Sequence, residues 1–288
     1  MSDPLRILWR GPLSSCNYDC GYCPFAKTTA SAEEIAADAA ALECFVAWAR
    51  GFTARPLGVL LTPWGEALHW PHVQRGLAAL SQLPHVERVA IQTNLASRLD
   101  WLETADPATL AFWTTWHPEQ VSMDRFVSQC ARLSAAGFRY SVGVVGLKGH
   151  LDAAEALRAA LPAHVYVWIN AYKRLADYYT AQDLDRIEAI DPLFEHNRQP
   201  WPSLGRPCRA GDSVISVDGD GRVRRCHFVD EVLGNLYDPD FQRVLQPRRC
   251  PNAECRCHIG YVHAPGTGLY GIFEGGILER IPRSPCSR

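Results

Sequence analysis

Charge of one sign is scarce in this chain: 29 lysine and arginine residues stand against 31 aspartate and glutamate, a formal net charge of -2. Such a balance gives no global field for a polyanion, so nucleic acid is not expected as a partner. Long apolar runs are missing too. Nowhere do about 18 apolar residues follow one another, which removes a membrane-spanning helix from the expectations. Residues 1–13 carry neither a basic stretch nor an uninterrupted apolar one, so no export signal is read there and a cytoplasmic location is expected. An even cysteine count is also lacking. The eleven cysteines are poor material for a disulfide framework in a reducing compartment, and metal is the better use for them. With 288 residues, the chain is long enough for one large α/β core or a core plus an appendage.

What is present is concentrated near the N-terminus. Cys16, Cys20 and Cys23 fall within eight residues, spaced C-x3-C-x2-C. On a continuous helix they would share one face as core thiols, but Asn17, Asp19, Gly21 and Pro24 favour turns and break helices. The segment reads as a loop. A zinc site is the other bland reading, although zinc wants a fourth ligand and usually shows C-x2-C pairs. A four-iron cluster normally takes four cysteines, so three from one loop would leave one iron open to a ligand that is not protein.

Strand-like runs recur at Leu5 to Trp9, Leu57 to Leu61, Val86 to Gln92, Leu110 to Thr115, Arg139 to Val145 and Val165 to Ile169. Amphipathic helical stretches lie between them, such as Ser31 to Arg50, Ser122 to Ala136 and Leu151 to Leu161, with Gly51 and Gly137 as expected C-caps. Six β-α units in succession imply a parallel sheet, doubly wound or rolled into an incomplete barrel. Polar residues follow every strand: the cysteine loop, Thr62-Pro63-Trp64-Gly65-Glu66, Thr93-Asn94, Thr115-Trp116-His117, Gly146-Leu147-Lys148 and Asn170-Ala171-Tyr172-Lys173. In a parallel barrel these would meet on one rim, where working residues gather.

The cysteine spacing, with the aromatic Tyr22 just before Cys23, resembles the signature of the radical S-adenosylmethionine (radical SAM) superfamily, and the resemblance extends across about the first 195 residues. It implies a partial (β/α)6 TIM-type barrel and a [4Fe-4S] cluster on Cys16, Cys20 and Cys23 that binds S-adenosylmethionine. It further implies reductive cleavage of that cofactor to a 5′-deoxyadenosyl radical, which takes hydrogen from substrate. By similarity, Tyr22 contacts the adenine. Trp64-Gly65-Glu66 resembles the family's Gly-Gly-Glu motif, with Gly65 and Glu66 at the cofactor's amino group and a tryptophan where the first glycine is usual. Asn94 matches the Thr-Asn ending of strand three, with Leu95 in place of the glycine that often follows. Thr115 and His117 fall where ribose or carboxylate is contacted, and Gly143 to Gly146 resembles a glycine-containing motif near the adenine. His117 reads as a proton donor or a hydrogen-bonding neighbour of the site.

A proline-rich bridge, Gln199-Pro200-Trp201-Pro202, reads as a linker. It divides the chain into residues 1–198, the barrel, and 199–288, a small α+β domain. Beyond it, Ser213 to Cys226 reads as a β-hairpin with Asp-Gly turn chemistry. Cys208-x12-Gly221-x4-Cys226 is similar to the SPASM and twitch extensions of radical SAM enzymes. That similarity implies one auxiliary [4Fe-4S] cluster held by Cys208, Cys226, Cys250 and one or both of Cys255 and Cys257, while a zinc knuckle remains the alternative. Arg222, Arg224, Arg225, Arg248 and Arg249 surround these cysteines, where they would raise a cluster's potential, bind an anion or simply face solvent. Cys44 and Cys130 are expected in the core, and Cys286 is expected to be free. Lys173, Arg174, Tyr178 and Tyr179 are candidates for a substrate wall.

The expected function is hydrogen abstraction from a small molecule, oxidising or otherwise modifying it. A ribosomal peptide is the rival substrate, and a non-enzymatic iron-sulfur or zinc protein is the rival class. A reducing partner such as flavodoxin or ferredoxin is implied by the same resemblance.

Overall fold

The computed structural model describes residues 3–25 and 28–283, so Cys286 lies outside the described residues. Strand and helix alternate as β1 (Leu5–Arg10), α1 (Ala32–Gly51), β2 (Leu57–Leu61), α2 (Pro71–Ser81), β3 (Val86–Thr93), β4 (Leu110–Trp116), α3 (Met123–Ala135), β5 (Arg139–Gly146), α4 (Leu151–Ala160), β6 (Val167–Ala171) and α5 (Ala181–Ile190). Local chemistry sets several starts. Ser31 accepts from Glu34 N while the Glu34 carboxylate accepts from Ser31 N, a capping box that starts α1. Thr180 and Asp183 do the same for α5, and the Ser122 side chain caps α3. Among the described residues no helix is long and apolar enough to cross a membrane.

The six strands form one parallel sheet in sequence order, and its β1 edge is extended by the C-terminal part of the chain. That part runs α6 (Glu195–Arg198), β7 (Trp201–Pro202), β8 (Pro207–Cys208), β9 (Val214–Asp218), β10 (Arg222–Arg224), β11 (Val232–Asn235), β12 (Arg248–Arg249), β13 (Glu254–Cys255), α7 (His258–Tyr261) and α8 (Leu269–Ile272). Strand β9 lies parallel to β1 with Ile7 opposite Ile215, then turns through Asp218–Gly221 into β10. Gly221 takes φ +78°, the left-handed backbone that the expected turn requires. The result is an open sheet of nine strands, a partial barrel rather than a closed one.

Side-chain alternation sorts the two faces. Ile7, Val59, Ile91, Phe112, Val142 and Ile169 pack outward with the helices. Leu8, Leu60, Ala90, Trp113 and Trp168 point the other way, against Ile259, Tyr261, Leu269, Phe273 and Leu278 of the C-terminal segment. Helices therefore cover one face and the C-terminal segment packs against the other. This excludes the doubly wound alternative.

Four sequence expectations are corrected. Gly51 is the last residue of α1 rather than its cap; Phe52 takes the cap and its N–H reaches Trp48 O and Ala49 O. Strand β6 runs two residues later than its apolar stretch, because Val165 N closes a turn onto Pro162 O and pairing with β5 sets Val142 opposite Val167. Trp201–Pro202 is a short strand paired with β13, not only a linker, because Cys255 lies opposite Trp201. Cys44 is exposed on α1, whereas Cys130 is fully buried as expected.

Candidate functional site

The loop after β1 is closed by a bridge between Ser15 and Thr28, with Thr28 Oγ1 donating to Ser14 O. Within it, Cys16, Cys20 and Cys23 lie in turn and irregular backbone rather than helix. The loop is tied to its neighbours by several bonds. Glu66 N donates to Ser15 O at 2.9 Å, Asn94 Nδ2 donates to Asn17 Oδ1 at 2.8 Å, and Asp19 N donates to Gln120 Oε1 at 3.1 Å. Gly65 makes this closeness possible, since a Cβ there would lie 2.0 Å from Ser15 O and 3.1 Å from Cys16 Cβ. The ends of β2, β3 and β4 thus converge on the cysteine loop.

Glu66 is 2% exposed. Its Oε1 accepts from Leu68 N and Thr93 Oγ1, and its Oε2 accepts from Asn94 N. Burial pushes its pKa up to about 7 against the pull of these donors. Three of about four lone-pair positions are filled, which leaves one for an outside donor. Asn94 is buried at the end of β3, and Leu95 after it takes φ +57°. That is the left-handed backbone a glycine would supply without strain, and here a buried leucine adopts it.

Tyr22 Oη and His117 Nδ1 are 2.8 Å apart with their rings stacked, and Cys20 Sγ lies 3.5 Å from the same nitrogen. Burial lowers the His117 pKa to about 4, so the imidazole is neutral at pH 7. His117 therefore sits beside a candidate ligand cysteine. Thr115 lies opposite Gly143, and Gly143 opposite Trp168. A Cβ at Gly143 would lie 2.0 Å from Trp168 Cζ2, so the missing side chain makes room for the indole.

The second cysteine set is assembled from four segments. Strand β8 pairs with β12, placing Cys208 opposite Arg248, and Cys250 N donates to Arg206 O. Strand β13 carries Cys255, and Cys226 follows β10. Cys208, Cys226, Cys250 and Cys255 line one cavity with Phe228, Ile259 and Tyr261. Gly260 borders it: a Cβ there would lie 2.5 Å from Cys255 Sγ. Desolvation raises the thiols of Cys208, Cys226 and Cys255, the last to about 12. No three His, Cys, Asp or Glu side chains among the described residues form a single-ion site.

Cys257 does not line this cavity. It is exposed, although desolvation raises its thiol pKa while the charges of Lys173, Arg280 and Arg10 pull the other way. Of the five nearby arginines, Arg225 alone is buried. It donates to Arg249 O and Arg248 O and leaves Nε without a partner, and its charge works against the desolvation that raises the Cys208 thiol. Arg222 and Arg224 pair with Asp218 and Asp220 on the hairpin's outer side.

Of the expected substrate wall, Tyr179 Oη donates to Gly146 O and accepts from Tyr172 N, and Arg174 donates to Tyr22 O, so both act as rim ties. Lys173 reaches Asn197 and Arg256 O. Sequence reasoning missed His227, which links Thr62 Oγ1 and Ser216 Oγ at 2.7 Å each, and Arg280, which lies over Trp168. His227 was signalled only by adjacency to Cys226, and Arg280 by nothing periodic.

No protein-family model matches the chain, and no curated protein does. Solved structures do. Native anSMEcpe with bound AdoMet aligns at a TM-score of 0.51 and 10% identity, over 84% of this chain and 83% of that one. The same protein with bound AdoMet and Kp18Cys peptide aligns at 0.53 and 11%, over 84% and 81%. BtrN in complex with AdoMet and 2-DOIA aligns at only 0.40 and 16%, over 85% and 88%. The chain has the partial-barrel fold of the AdoMet-bound anSMEcpe structures.

Proposed function

We propose that this chain is a radical SAM enzyme acting on a small molecule, with Cys16, Cys20 and Cys23 holding a [4Fe-4S] cluster and Cys208, Cys226, Cys250 and Cys255 holding a second. The observation that carries the reading is the placing of the cysteine triplet. It lies at the C-terminal end of β1, where barrel chemistry gathers, in a loop whose Ser15 O and Asn17 Oδ1 accept from Glu66 N and Asn94 Nδ2. The donor sets fit. Three thiolates leave an iron free for S-adenosylmethionine, whereas four thiols around one cavity satisfy a four-iron cluster fully. When bound, the first cluster supplies the electron and the open coordination position for reductive cleavage of S-adenosylmethionine.

The chain's own residues bind, orient and seal. Glu66 has one free lone-pair position for the cofactor's ammonium, and Asn94 and Gly65 fix the loop that faces it. His117 holds Tyr22 and stands next to Cys20 as a neutral hydrogen-bonding group. The Arg225 charge acts on Cys208, which favours a more negative, reduced cluster. The C-terminal segment closes the concave face against water. Flavodoxin or ferredoxin is the class of reductant that suits such a site, and a cytoplasmic location accords with the ten free cysteines among the described residues.

The test is anaerobic incubation of the reconstituted protein with dithionite and S-adenosylmethionine. Release of 5′-deoxyadenosine and methionine is expected, and none from a variant with Cys16, Cys20 and Cys23 changed to alanine. Equal release from both proteins sinks the enzyme reading. A peptide is the second reading of the substrate, resting on the likeness to anSMEcpe bound to one.

A further inference from the structure

Arg280 is 3% exposed and takes a left-handed backbone, φ +54°. Its guanidinium has no hydrogen-bond or ion-pair partner among the described residues, and its buried Nε is unsatisfied. A guanidinium cannot shed its proton, so a full positive charge stands inside the barrel with no hydrogen-bonded counter-ion among the described residues. Two indoles hold it: Cζ lies 4.3 Å from the ring centroid of Trp168 and 5.8 Å from that of Trp113. Such contacts offset part of the desolvation but supply no counter-ion. Asp191, whose carboxylate feels this charge, is already held by Tyr166 Oη, Ile169 N and Leu193 N.

A second cation stands on the same aromatic cluster. Lys173 Nζ lies 5.6 Å from the ring centroid of Tyr261, which packs in one cluster with Trp113 and Trp168. It donates to Asn197 Oδ1 and Arg256 O and has no carboxylate partner among the described residues. Burial lowers its pKa to about 8.

We propose that the concave face of the barrel binds a carboxylate of the substrate, with Arg280 as its anchor and Lys173 completing the charge. A planar guanidinium braced on an indole offers the two-pronged donor edge that a carboxylate fits. This deepens the enzyme reading and rests on it for the word substrate.

The test uses the reconstituted protein and benzoate as probe, with neutral benzamide as control, read by saturation-transfer NMR. S-adenosylmethionine affinity is measured alongside by calorimetry. Benzoate is expected to bind, benzamide not, and Arg280→Gln to weaken benzoate at least about tenfold while S-adenosylmethionine affinity stays. Equal benzoate binding by Arg280→Gln overturns the proposal. So does inorganic phosphate binding tighter than benzoate, and so does loss of S-adenosylmethionine binding in the variant, which would make Arg280 part of the cofactor site. A wild type that binds benzoate through Arg280 but no S-adenosylmethionine leaves the anion site standing and sinks the enzyme reading. Should Arg280→Gln not fold, Arg280→Lys, which keeps the charge and loses the fork, and Lys173→Gln carry the same comparison. Both are expected to weaken benzoate severalfold, and unchanged binding in both overturns the site.

Discussion

His227 and Thr62 are joined by a 2.7 Å hydrogen bond from ring Nε2 to Oγ1, and this bond fastens the residue beside Cys226 to the end of β2. Nδ1 of the same ring meets Ser216 Oγ on β9, so one imidazole stitches the added hairpin to the original barrel. Both partners are hydroxyls, which donate or accept as the tautomer demands. A neutral ring suffices, and burial keeps it neutral.

Replacing His227 with alanine leaves Thr62 and Ser216 buried without this partner, a cost of roughly 1–3 kcal/mol. Amides of β9 and β10 are expected to exchange hydrogen faster in the variant while those of β4 and β5 do not. Uniform protection across the sheet would show that the stitch is not what holds the hairpin.

Gly65→Ala places a methyl group 2.0 Å from Ser15 O. Backbone must move, and what moves is the loop bearing Cys16. Iron bound by the variant is expected to fall by about half, from roughly eight atoms to four. Gly21→Ala is the control, since nothing stands within 4 Å of a Cβ there. Full iron loading of Gly65→Ala would mean that the loop is not held by this contact.

The alternation of apolar runs with capped helices revealed β1 to β5 almost to the residue, because parallel strands buried on both faces write their burial into composition. Strand β6 slipped by two residues, since register there is set by pairing with β5 and not by the apolar stretch from Val165. The cysteine triplet was legible as a loop from Asn17, Gly21 and Pro24. The choice between Cys255 and Cys257 was not. Both flank Arg256, and only the pairing of β13 with β7 separates a thiol on the cavity from one facing the barrel. Arg280 was invisible for a related reason: it sits in irregular chain whose packing against Trp168 has no periodicity to announce it. Leu95 shows the converse, a position where glycine was expected and the backbone conformation is kept by a leucine.

Glu66 gives a pH dependence with a definite sign. Its pKa is raised in the folded protein to about 7 from an ordinary value near 4.5. The folded state therefore binds more protons between these values, and stability falls as pH rises through that window. A shift of this size corresponds to about 3 kcal/mol. Glu66→Gln removes the titration, so its stability relative to the wild type should improve by up to that amount between pH 4.5 and pH 7.5. Denaturant midpoints at the two pH values check it, and parallel profiles for the two proteins would place the Glu66 pKa near its ordinary value.

The two neighbouring cysteines of the C-terminal segment make the sharpest comparison. Cys255 lines the cavity with Cys208, Cys226 and Cys250, and Gly260 gives its sulfur room; Cys257 faces Lys173, Arg280 and Arg10 instead. Cys255→Ser should cost the second cluster, leaving about four irons of about eight, with the remaining iron still responding to S-adenosylmethionine in its electron paramagnetic resonance spectrum. Cys257→Ser should keep all the iron. A fold check by circular dichroism is needed for both, because a cluster also contributes folding energy. If Cys257→Ser lost the iron and Cys255→Ser kept it, the assignment of ligands would reverse. The cation cluster inside the barrel would then face a cluster thiolate, and its charges would already have the anion that Arg280 lacks.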